Sequence, residues 1–136
     1  MREILFRGKS VRGGEWVEGS LIHVGDYRCV LPLDCEDYGV TYLDSDLGYI
    51  DGKAVPVTPT TVGQYTGLKD KSGKKIFEGD IVRAMMDYGP AGTREAVVDI
   101  GFKKLGGYRW QYFDLNTIEV IGNVYDNPEL LEVQNV

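Results

Sequence analysis

A chain of 136 residues with 21 acidic and 15 basic side chains, net charge −6, is long enough to bury its own core. That balance disfavours duplex-DNA binding, which draws its affinity from Lys and Arg displacing counterions, while leaving room for a local basic surface to bind. An apolar fraction of 43% with 26% charged residues excludes a disordered chain, and no apolar run approaches the roughly twenty residues that cross a bilayer.

The opening Met1-Arg2-Glu3-Ile4-Leu5-Phe6-Arg7 interrupts its apolar residues with charge and leads into no signal-type apolar stretch. The cytoplasm is therefore the expected compartment, without membrane attachment, and Cys29 and Cys35 are expected to be reduced there. Period-two alternation then predicts strands at Glu3–Arg7, Trp16–Val24, Tyr27–Leu31, Val40–Leu43 and Ala54–Val57. It continues at Val62–Thr66, Asp80–Met85, Arg94–Ile100, Tyr108–Phe113 and Ile118–Tyr125. Turn signals separate them at Gly13-Gly14, Gly25-Asp26, Asp51-Gly52, Ser72-Gly73, Gly89-Pro90 and Gly106-Gly107. Pro56 and Pro59 lack amide donors and mark a sheet edge or connector.

Helix content is expected to be low. Asn127-Pro128-Glu129-Leu130-Leu131 carries the one clear helix start, with Asn at the cap, Pro at the first helical position and Glu in the first turn. The fold class read from this pattern is mainly β, as a single domain with an internal division near Thr58–Val62. Residues 1–60 would form a β layer with an acidic loop. Residues 61–136 would form a small barrel of the Src-homology-3 type, filled by side chains.

The catalytic and metal patterns in the chain have simpler explanations. Gly67 to Gly73 encloses five residues, Lys75 stands where a phosphate loop needs Ser or Thr, and a strand follows, so that loop is rejected. Structural zinc wants four Cys or His ligands, whereas Cys29, Cys35 and the single His23 lack the tight spacing. Asp44-Ser45-Asp46-Leu47-Gly48 faintly resembles a calcium loop but lacks the spaced Glu and the flanking helices. Asp34, Glu36 and Asp37 could serve as paired carboxylates only if they converged, and a solvated acidic loop accounts for them. His23, in the alternating run Leu21-Ile22-His23-Val24, reads as a strand residue. No enzyme activity, cofactor or metal is expected.

The surface pattern that stands out joins charge with aromatic rings. Lys69, Lys71, Lys74 and Lys75 crowd one turn with a single acid, Asp70. Tyr108, Trp110 and Tyr112 alternate beside Arg109, with Lys103 and Lys104 just upstream, so three rings fall on one strand face. Exposed, such rings could stack on bases of a single strand. Packed inward, they would fill a core or a subunit contact, which suits the acidic total better.

The segment Val62-Gly63-Gln64-Tyr65-Thr66-Gly67-Leu68-Lys69-Asp70-Lys71-Ser72-Gly73-Lys74-Lys75-Ile76-Phe77-Glu78-Gly79-Asp80-Ile81-Val82 resembles the central signature of the YopX family. Ile118-Glu119-Val120-Ile121-Gly122-Asn123-Val124-Tyr125-Asp126-Asn127-Pro128-Glu129-Leu130-Leu131 is similar to its C-terminal signature. Met1-Arg2-Glu3-Ile4, Phe6-Arg7-Gly8-Lys9 and Gly14-Glu15-Trp16-Val17 are similar to its N-terminus. The resemblance implies a phage or prophage gene in a bacterium and a YopX-like fold with a small C-terminal barrel, and it supplies no catalytic residues. The central signature can be read as geometry alone, with Gly67, Gly73 and Gly79 serving turns. The expected function is a non-enzymatic binding or assembly module that self-associates, with a host or phage protein as a further partner. Nucleic-acid binding through the Lys-rich turn and the aromatic strand is the alternative.

Overall fold

The computed structural model describes residues 4–24, 27–32, 40–44, 47–50, 54–101 and 112–132. The chain is mainly β and divides into two compact units, Met1–Tyr65 and Thr66–Val136. All named strand pairs are antiparallel.

The first unit contains β1 (Phe6–Lys9), β2 (Trp16–Val24), β3 (Tyr27–Pro32), β4 (Val40–Asp44), β5 (Leu47–Ile50), β6 (Val55–Val57) and the start of β7 (Gly63–Lys69). Its main sheet runs in the order β6-β3-β2-β1-β7, and β4 pairs with β5 as a separate hairpin. Two glycines let parts of this sheet approach each other closely. A Cβ on Gly19 would collide with the Leu31 carbonyl oxygen, and one on Gly8 would stand 2.7 Å from the Val57 side chain. Val57 can therefore settle against Gly8, where it is 2% exposed. Around it an isolated bridge joins Ser10, just past β1, to Val57 of β6, with the Thr58 amide donating to the Lys9 carbonyl at 2.9 Å. Thr61 completes this clasp: its hydroxyl accepts from the Lys9 amide at 2.9 Å and donates to the Thr58 carbonyl at 2.6 Å.

The second unit takes up β7 past Tyr65 and adds β8 (Lys75–Phe77), β9 (Asp80–Asp87), β10 (Thr93–Asp99), β11 (Glu119–Asn123) and helix α1 (Glu129–Glu132). Its three-stranded sheet has the order β10-β9-β11. Side chains on β9 alternate as a pleated strand requires. Val82, Ala84 and Met86 face a core containing Ile76, Ile100, Phe113 and Ile118, with Leu68, Val98 and Val120 packed against it. Full burial of an aliphatic chain such as Ile76 or Val82 stabilises by about 1.5–3 kcal/mol. Arg83 and Met85 consequently occupy the opposite, outer face.

Most of the expected strands recur, several with shifted ends. β1 lies further along than Glu3–Arg7 because residues 6–9 are the ones paired with β2. β7 extends through Gly67, which adopts φ 92° inside the strand, so this glycine serves a strand distortion and the turn assigned to it is corrected. β5 and β8 have four and three residues, too few for alternation to reveal. The strand expected at Tyr108–Phe113 falls mostly on residues outside the described set, although Phe113 bridges Met86. Among the described residues no sheet closes into a barrel. The C-terminal helix forms where its start signature lies, but Asn127 does a different job from the expected one: its side chain accepts the Asn123 amide at 3.3 Å.

Candidate functional site

The second unit's outer face is built from the turn between β7 and β8. Asp70 is 8% exposed, and its carboxylate organises that turn. Oδ1 accepts the Ser72 and Lys74 amides, each at 2.9 Å, and Oδ2 accepts the Val120 amide at 3.0 Å. The Lys71 amide donates to the Ile118 carbonyl at 2.8 Å, so the Lys-rich turn is tied to the beginning of β11 twice. Burial alone would raise the Asp70 pKa, but the amides of Val120, Lys74 and Ser72 and the charge of Lys74 hold it below the ordinary carboxylate value.

A second turn fixes the other end of the signature. Gly79 adopts φ 92° beneath the Tyr125 ring, exchanging its amide with the Ile100 carbonyl and its carbonyl with the Val124 amide, both at 2.8 Å. Asp80, 1% exposed, accepts the Phe77 amide at 2.7 Å. Asn123 then bends the chain into α1 by accepting the Tyr125 and Asp126 amides at 3.0 and 2.9 Å. Leu130 lies against Gly122, the β11 partner of Ile81. Helix α1 thus covers the outer face of the β9 sheet at the Ile81 end.

The other end of that face is an open groove of about 480 Å³. Lys71, Arg83, Glu95 and Glu119 supply its charges, Asn116 and Thr117 one rim, and Met85 part of its floor. Strand register explains the grouping: Glu119 and Val97 flank Arg83 on the neighbouring strands, and Glu95 stands opposite Met85. Thr117 is held in place because its hydroxyl accepts the Met85 amide at 2.9 Å and donates to the Asp114 carbonyl at 2.7 Å. The Glu119 carboxylate meets Lys71 Nζ at 3.1 Å and Arg83 Nη2 at 3.4 Å. The Lys71 hydrogen bond and charge, then Arg83, lower its pKa. These side chains are 35–48% exposed, so the pairs are screened and hold the groove loosely.

Of the surface residues singled out from sequence, Lys69 is exposed at the end of β7, Lys71 and Lys74 are exposed on the turn, and Lys75 is half-buried in β8. Only Lys71 joins the groove. Tyr112 is 44% exposed, and its neighbour Phe113 enters the core. Tyr108, Arg109 and Trp110 lie outside the described residues, as do Asp34, Glu36, Asp37 and Cys35. His23 is exposed on β2, opposite Arg28 on β3. Cys29 is buried beside Ile22 and Ala54, which pushes its thiol pKa up. The sequence reading passed over Arg83, Glu95 and Glu119, although a charged residue centred in the apolar run Ile81-Val82-Arg83-Ala84-Met85 marks an outward strand position. Among the described residues, no three His, Cys, Asp or Glu side chains gather as a metal site. No helix among them is long and apolar enough to cross a membrane.

A family model described as YopX protein matches residues 5–132. The chain belongs to the YopX family. The match takes in both turns and every groove residue, so the YopX assignment covers the site as well as the core. Among solved structures, the chain is similar to the crystal structure of protein EF1440 from Enterococcus faecalis, at 25% identity and a TM-score of 0.56. That likeness covers 96% of this chain and 99% of the other. Comparison with curated proteins finds no match.

Proposed function

We propose that this YopX-family chain is a phage- or prophage-encoded binding and assembly module that acts without catalysis and self-associates in the bacterial cytoplasm. One observation carries the reading: the outer face of the β9 sheet is covered by α1 at one end and left as an open, charged groove at the other. An antiparallel sheet with one face on a core and one face bare is a ready surface for a protein partner. The small Src-homology-3-type barrel expected for this half belongs to the same reading, and the shared core of Ile76, Val82 and Ile118 supports it. Light scattering across a concentration series tests self-association. A mass of two or more chains is expected, and a strict monomer at the highest concentration defeats it.

A second reading, nucleic-acid binding, is supported by Lys69, Lys71 and Lys74 standing exposed on or beside a turn made rigid by Asp70. The net charge of −6 and the Glu119 carboxylate beside Lys71 oppose it. Retention of a single-stranded probe at low salt, lost on Lys74→Glu, would favour this reading over assembly.

A further inference from the structure

We infer that the groove face is the contact between two copies of this chain, related by a two-fold axis that brings Arg83 of each copy to Glu95 of the other. The inference rests on the self-association reading and adds the surface and the pairing. With a net charge of −6, two copies repel on average, so a contact between like chains needs a face whose own charges balance. The groove provides one, setting Lys71 and Arg83 against Glu95 and Glu119.

Within one copy these charges are unevenly matched. Lys71 and Arg83 share the single carboxylate of Glu119, with Arg83 the longer contact at 3.4 Å. Glu95, exposed on β10, makes no ion pair among the described residues. A two-fold contact is self-complementary, so any exchange it allows occurs twice. Arg83 can turn to Glu95 of the second copy while Lys71 keeps Glu119 at 3.1 Å, which leaves all four charges matched. Met85 and Val97 lie beside these two residues on the same face and supply apolar contact, with the flexible Met chain able to fit a facing surface.

Charge exchange tests the pairing in the full-length chain. Arg83→Glu and Glu95→Arg, prepared separately, should each weaken the dimer at least tenfold by sedimentation or light scattering, with circular dichroism unchanged. Mixed in equal amounts they should recover wild-type association, because every cross-pair again joins opposite charges. Unaltered dimerisation of folded Glu95→Arg overturns the proposal, even if Arg83→Glu fails to fold, and leaves self-association standing. Failure of the two folded variants to associate on mixing also overturns the pairing. A monomeric wild-type chain at high concentration removes the self-association reading and this inference together.

Discussion

Asp70 and Glu119 are carboxylates of the same unit, both with lowered pKa, and they are held in opposite ways. Asp70 is buried and grips backbone amides of Ser72, Lys74 and Val120, which have no rotamers through which to turn away. Glu119 is half-exposed and grips the ends of Lys71 and Arg83, which swing at little cost. A carboxylate caught by backbone fixes a turn to a strand. One caught by long surface side chains leaves a groove whose charges can be re-paired. The Asp70 region is architecture, and the Glu119 region is where charges can be re-paired.

The strongest challenge to this contrast is removal of the buried carboxylate. Asp70→Ala strands three amides and should lower unfolding free energy by about 3 kcal/mol in a urea titration. A loss under about 1 kcal/mol would place Asp70 with ordinary surface acids and erase the distinction. Gly79→Ala comes next, at about 2 kcal/mol, because a side chain there combines φ 92° with a Cβ only 3.0 Å from the Tyr125 ring. Gly73→Ala, at φ 87° but facing open space, should cost about 1 kcal/mol. The difference between the two glycines isolates the packing of Tyr125; equal losses would mean that backbone strain alone explains the signature.

Local pattern made much of this architecture legible. β2 was legible from Trp16, Val17, Leu21, Ile22 and Val24 between the Gly13-Gly14 and Gly25-Asp26 turn signals, and its ends agree with expectation at Trp16 and Val24. The start of α1 was visible in Pro128-Glu129, where ring geometry acts within a few residues, although the Asn127 side chain accepts the Asn123 amide in place of capping the helix. The role of Asp70 was hidden because its bond to Val120 joins residues 50 apart, a distance that periodicity does not span. Lys71 stood out by charge, yet its partner Glu119 became visible only once antiparallel register set β11 against β9. Gly67 shows the reverse error: a glycine read as punctuation lies within a strand.

Acid titration sharpens the comparison more gently. Asp70 has a folded pKa below its unfolded value of about 3.9, so its stabilisation is complete above that pH and is lost as pH falls through the lower, folded pKa. The advantage of the wild-type chain over Asp70→Asn should therefore be constant from pH 7 to about pH 5 and shrink on further acidification. Chemical denaturation at several pH values measures it. The same advantage at pH 2 as at pH 7 would mean that the negative charge is not what the amides hold.

The smallest effect is expected at the other carboxylate. Glu119→Gln removes the charge shared by Lys71 and Arg83, yet the urea midpoint should stay within experimental error, because water already screens both pairs. Association should persist or tighten, since Arg83 loses the intrachain acid that competes with Glu95 of the second copy. The two measurements answer separate questions. A midpoint shift comparable with that of Asp70→Ala would make the groove pairs part of the scaffold. Loss of association at an unchanged midpoint would show instead that Glu119 itself is required across the contact, in place of Glu95.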